Sequence, residues 1–163
     1  MLDVIALIDA SRVSHEPAHV WFAAEGRRGW ATCPITENGL MRIIAYPRYP
    51  NAVAAPADAV TPLLRLVGVP GHVFWPDDIS VHEAASFESD WMAAVGQVTD
   101  GCLLGLAVAH GGKLATSGPT PFCARGQRRG DALHLIGATG EIIARADARG
   151  GCPAARPKPL GLT

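Results

Sequence analysis

Short apolar runs alternate along this chain with segments of helical periodicity, and that alternation restricts the fold more than any other feature. Residues 1–8 are apolar apart from Asp3, which predicts a strand buried on both faces. Behind Pro17, suited to a first helical turn, Ala18, Trp21, Phe22 and Ala23 are spaced for one apolar helix face. Gly26 and Gly29 end that segment, and residues 30–33 predict a second strand. A helix then starts near Pro34 or Thr36 and is stopped by the proline pair of residues 47–50. Residues 58–66 predict another helix and residues 72–75 another strand. Residues 98–110 carry the strongest helical pattern, with Leu103, Leu104, Leu106 and Ala107 inside and Gly111-Gly112 as its stop. Residues 113–116 and 131–136 complete the series as strands. Strands alternating with helices in this way predict an α/β domain around a mostly parallel sheet covered on both faces.

The length of 163 residues fits one hydrophobic core. With 48% hydrophobic and 18% charged residues, the composition excludes disorder over most of the chain. A formal net charge of -1 excludes a generically basic nucleic-acid binder, so any attraction to RNA must come from local patches or bound cations. Cys33, Cys102, Cys123 and Cys152 are scattered, with neither zinc-ligand spacing nor a disulfide framework, and are expected as reduced thiols. No secretory leader pattern and no run of roughly 18 apolar residues is present, so a soluble, cytoplasmic protein without a membrane partner is expected. Past Ile136 the chain turns to glycine, proline and charge. Residues 137–163 therefore read as a loosely ordered tail beyond a domain of residues 1–136.

Three carboxylates fall at informative places. Asp3 interrupts an apolar strand, where an unpartnered carboxylate costs several kcal/mol unless it pairs, neutralises or binds a cation; a solvated strand end is the plainer account. Glu37 falls in the first turn of the helix after the second strand, and Asp100 follows Thr99 in the first turn of the long helix. Capping and the helix dipole explain either one alone. Together they gain meaning, because functional groups of open parallel sheets collect where strands end and helices begin. Converging carboxylates repel unless a divalent cation neutralises them, and all-oxygen ligands suit Mg²⁺ or Mn²⁺ over zinc. No phosphate-binding glycine loop and no nucleophilic triad signature competes with that reading.

The wording of several segments adds a family. Leu2-Asp3-Val4, then Leu7-Ile8, His15-Glu16 and residues 18–22, resemble the N-terminus of VapC-type PIN domains. Gly29-Trp30-Ala31-Thr32-Cys33-Pro34-Ile35-Thr36-Glu37-Asn38-Gly39 closely resembles a stretch of one bacterial VapC branch. Phe74-Trp75-Pro76-Asp77-Asp78, Gln97-Val98-Thr99-Asp100 and residues 103–116 are similar to the same branch, and the resemblance extends from residue 1 to about Ile136.

The resemblance implies a PIN-like (Rossmann-like) three-layer α/β/α domain. It implies a Mg²⁺- or Mn²⁺-dependent endoribonuclease, the toxin of a type II toxin–antitoxin pair, usually a homodimer neutralised by a VapB-like antitoxin. It makes Asp3, Glu37 and Asp100 the catalytic, metal-binding carboxylates that support hydrolysis of RNA phosphodiesters by a metal-activated water. Thr36, Thr99, Thr116 and Ser117 become candidate supporting or substrate contacts. Arg42 becomes a candidate phosphate or carboxylate contact, or else part of a solvated helix face. Two departures bear on activity: Ser117 and Gly118 stand where the family pattern has an aromatic residue and a fourth acid, and Ile5 stands where it often has Asn or a small hydroxyl residue. The alternative reading is thus a catalytically degenerate PIN domain acting as a binding module. A generic Rossmann-like phosphohydrolase is a distant third.

Overall fold

The computed structural model describes residues 3–80, 96–117, 133–137 and 142–143. A 3-10 helix, Asp3–Leu7, leads into α1 (His15–Glu25), the 3-10 turn Gly26–Arg28, β1 (Trp30–Thr32) and α2 (Pro34–Ile44). The 3-10 turn Pro56–Ala59 runs directly into α3 (Val60–Val67), followed by β2 (His72–Phe74). Then come α4 (Gly96–Ala109), β3 (Leu114–Thr116), β4 (Leu133–Ile136) and β5 (Ile142–Ile143).

The strands are short and, among the described residues, fall in two sheets, β1-β2 and β3-β4-β5, each with one parallel pair. β1 lies parallel to β2 with Trp30 opposite His72, and β3 lies parallel to β4 with Leu114 opposite Leu133. β5 adds an antiparallel edge to β4; it lies past residue 136, where the sequence ends the expected domain. The β1–β2 pair begins where two backbones meet. The Gly29 and Gly71 φ angles are 123° and 89°, and a Cβ on Gly71 would lie 3.6 Å from the Gly29 Cα. Both positions favour glycine because only it adopts positive φ without steric cost. The Trp30 N–H donates to the Gly71 carbonyl at 3.1 Å, which opens the ladder.

Residues 3–7 correct one expectation: they form a 3-10 helix, not a strand. The turn is closed by N–H groups of Ile8 and Asp9 donating to the Ile5 carbonyl at 3.2 and 2.9 Å. A short apolar run does not by itself distinguish a buried strand from a buried helical turn. Here the backbone carbonyls find partners outside a sheet. His15 Nδ1 donates to the Ala6 carbonyl at 2.7 Å, and His19 Nε2 to the Leu7 carbonyl at 2.9 Å. Burial, however, is as the run predicts, because Val4, Ile5 and Ala6 are all in the interior.

Two apolar clusters hold these elements. One joins Val4 and Ile5 to Leu40 and Ile44 of α2, Ala59, and Leu66 of α3. The other joins Cys33 to Leu103, Leu104, Leu106 and Ala107 of α4 and Leu114 of β3, with Trp75 and Leu133 packed against it. The long helix is therefore buried on the side its leucines mark. Cys33 and Cys102 carry free thiols; Cys123 and Cys152 lie outside the described residues.

Beside the first cluster sits a half-buried polar knot around the buried Asp9. Asp9 accepts hydrogen bonds from the Tyr49 hydroxyl, from Asn51 Nδ2 at 2.7 Å, and from the Ser11 N–H and hydroxyl at 3.0 and 2.8 Å. These donors favour the ionised form. The Tyr49 bond acts most strongly, and against the opposing effect of burial the Asp9 carboxyl is lowered to about 2.

Candidate active site around Glu37

Helix α2 starts immediately after β1, and its first turn is built to hold a carboxylate in place. Pro34 occupies an early position where its missing N–H costs nothing. The buried Thr36 hydroxyl accepts the Cys33 N–H at 2.9 Å and donates to the Cys33 carbonyl at 2.9 Å. Thr36 is thus spent on closing the helix N-terminus. Glu37, next in sequence, is half-buried and reaches back to β1, where Oε1 accepts the Thr32 hydroxyl at 2.6 Å. Thr32 is 2% exposed, and its Oγ1 also lies 2.8 Å from His72 Nε2 on the neighbouring strand. The His72 ring rests on Trp30, with centroids 4.6 Å apart.

The other sequence candidates are distributed as follows. Asp3 lies in the first 3-10 helix; its side chain lies outside the described residues. Helix α4 begins at Gly96, two residues before the predicted start, so half-buried Asp100 stands in its second turn. That shift matters, because a helix N-terminus stabilises charge mainly within its first turn, and the dipole account of Asp100 loses force. Thr99 is half-buried beside it, and Thr116 and Ser117 are half-buried where β3 ends. Arg42 is exposed in the last turn of α2. Five residues separate it from Glu37, about 140° around the helix, so the two occupy different faces. Gly118 lies outside the described residues.

Among the described residues, no three His, Cys, Asp or Glu side chains gather to hold a metal ion. The donor chemistry nevertheless fits a hard cation: Glu37 has one oxygen tied to Thr32 and the other without a hydrogen-bond partner among the described residues, and oxygen ligands of this kind suit Mg²⁺. Thr32 and His72 are the residues that sequence reading did not single out. Their signal was present only as membership of strands, since the contact between them spans 40 residues.

One further histidine has structural partners. His110 Nε2 lies 3.1 Å from Asp78 Oδ1, and its ring stacks on Trp75 at 4.9 Å and 9°. His134 in β4 has its pKa lowered, first by burial and then by Lys113, with Glu25 opposing. A cavity of about 410 Å³ adjoins the β1 end of the site, with Trp21, Phe22, Trp30, Leu103, Leu106 and His134 on its wall. It is mainly apolar, unlike a phosphate-binding surface. No helix among the described residues is long and apolar enough to cross a membrane.

A β-strand feeding a helix whose first turn carries a positioned carboxylate, beside parallel strand pairs, defines a small domain of the mixed α/β class. Comparison with known proteins places the chain within a family. It is 40% identical over 119 residues to "Ribonuclease VapC44" of Mycobacterium tuberculosis, spanning 71% of this chain and 83% of that protein. It is 37% identical over 119 residues to "Ribonuclease VapC39", spanning 71% and 86%, and 36% identical over 141 residues to "Ribonuclease VapC38", spanning 83% and 96%, both of the same organism. The chain belongs to the VapC family. No family model and no solved structure matches it.

Proposed function

We propose that this protein is an endoribonuclease toxin of the VapC type that works with Mg²⁺ or Mn²⁺. The observation that carries this reading is the 36–40% identity to curated ribonucleases across 83–96% of their lengths. Asp3, Glu37 and Asp100 would hold the cation through carboxylate oxygens. The bound ion supplies water activation and charge neutralisation at a phosphate. The chain's own part is to bind and orient: α2 sets the Glu37 backbone, Thr32 fixes Oε1, and burial of Thr32 keeps water from competing for that bond. A VapB-like antitoxin as inhibitor, an RNA substrate, a homodimer and a cytoplasmic setting complete the proposal.

A specific sequence observation favours a second reading. Gly118 stands where the family pattern has an acid, so the domain would bind partners without cutting RNA. RNA cleavage by purified protein with Mg²⁺ or Mn²⁺ tests both, beside Asp3→Asn, Glu37→Gln and Gly118→Asp. Cleavage lost in the first two variants and raised in the third supports the ribonuclease. Inert wild type with an active Gly118→Asp variant supports the degenerate domain. Cleavage retained by Asp3→Asn and Glu37→Gln refutes the proposed site.

A further inference from the structure

The Thr32 hydroxyl has one proton and two neighbours that each ask something different of it. A carboxylate only accepts hydrogen bonds, so the 2.6 Å contact to Glu37 Oε1 fixes Thr32 as the donor. Its proton is then committed, and the 2.8 Å contact to His72 can be a hydrogen bond only if His72 Nε2 carries the hydrogen. The direction of the chain follows: His72 Nε2–H to Thr32 Oγ1, and Thr32 O–H to Glu37 Oε1.

Nothing in this chain is free to wander. Thr32 is 2% exposed and held in β1. His72 lies in β2, in register with Trp30, and its ring packs on that indole. Two strands therefore fix both supporting groups, and a helix first turn fixes the third. We propose that His72 and Thr32 are positioning residues that hold the Glu37 carboxylate with Oε1 engaged, leaving Oε2 to ligate the divalent cation. This rests on the metal-dependent reading above. It goes beyond it by assigning roles to a threonine and a histidine that contact neither the cation nor the substrate. Supporting partners of metal ligands commonly carry a factor of 10–100 in metal affinity.

The experiment has two readouts, neither of which is turnover. The first is the His72 tautomer in metal-free protein, read from imidazole nitrogen shifts by NMR. The Nε2–H form is expected in wild type, with a changed tautomer balance in Thr32→Val. An unprotonated Nε2 in wild type overturns the proposed donor order.

The second is Mn²⁺ affinity by titration calorimetry. Thr32→Val keeps the shape of Thr32 and His72→Phe keeps the packing on Trp30, and each is expected to weaken Mn²⁺ about 10–100-fold. Thr32→Ser keeps the hydroxyl and His72→Gln an N–H donor, and both are expected to bind near wild type; this rescue separates positioning from mere stability. Glu37→Gln marks which idea has failed. If it abolishes Mn²⁺ binding while Thr32→Val and His72→Phe bind as wild type, the positioning role is wrong and the metal site stands. If wild type binds no Mn²⁺, or Glu37→Gln binds it unchanged, the metal reading fails and the positioning role goes with it.

Discussion

Replacing Asp9 with asparagine tests how much a single buried carboxylate contributes to this fold. The substitution keeps size and shape but removes the charge toward which Tyr49, Asn51 and Ser11 all donate. The carboxyl titrates near 3.9 in an unfolded chain and at about 2 in the fold. At 1.36 kcal/mol per unit, that gap sets an upper limit of roughly 2.5 kcal/mol. Ser11 and Asn51 are exposed at the rim of the knot, so solvent screening brings the figure to roughly 1–2 kcal/mol. For a chain of this size each kcal/mol moves Tm by about 2–4 °C, so Asp9→Asn is expected to melt about 2–8 °C lower at pH 7.

The pH dependence has a definite sign. A depressed carboxyl pKa means that the unfolded chain binds the proton first as pH falls. The contribution is complete above about pH 4 and is lost as the pH drops towards about 2. Urea denaturation of both proteins at pH 7, 4 and 2.5 reads this directly, with the gap between them narrowing at the lowest pH. A gap below about 0.3 kcal/mol at pH 7, or one that stays constant down to pH 2.5, refutes the reasoning.

Other expectations follow from particular contacts. A Cβ on Gly112 would lie 2.3 Å from the Trp75 ring, so Gly112→Ala should cost about 1–3 kcal/mol by overpacking, measured by denaturant midpoint; a neutral result would show that Trp75 has room to move. Leu106 is the largest fully buried side chain among the described residues, and Leu106→Ala should destabilise by about 2–5 kcal/mol in the same assay. His134 has a lowered pKa, so the unfolded chain takes up its proton first as pH falls through about 6.5, and this residue makes stability fall with pH there. His134→Gln should flatten the wild-type loss of stability between pH 7.5 and 5.5; an identical slope in both proteins would remove His134 as its source.

What the sequence made legible was set by local physics. Pro34 and Thr36 announce the start of α2, and the leucines of residues 103–106 announce the buried face of α4; the structure carries both. Residues 3–7 depart from the expected strand because their apolar run has no period of its own, and His15 and His19, which bond its carbonyls, sit in a different element. The position of Glu37 at the strand-to-helix junction was readable, as its spacing and the family resemblance agree there. Its support was not. Thr32 and His72 each look like ordinary strand residues, and only parallel pairing of β1 with β2 brings them together across 40 residues.

The bonds from α1 to the first 3-10 helix also shape how this protein can vary. His15 and His19 grip the carbonyls of Ala6 and Leu7, and a carbonyl is supplied by whichever amino acid stands at a position. Exchanges at residues 6 and 7 therefore answer only to the space around them, while the two histidines encode the hydrogen-bonded part of the attachment, beside the packing of Val4 and Ile5. The polar part of how the segment bearing Asp3 is fastened is written in α1, and its inheritance would be traced there, while the apolar part is written in Val4 and Ile5.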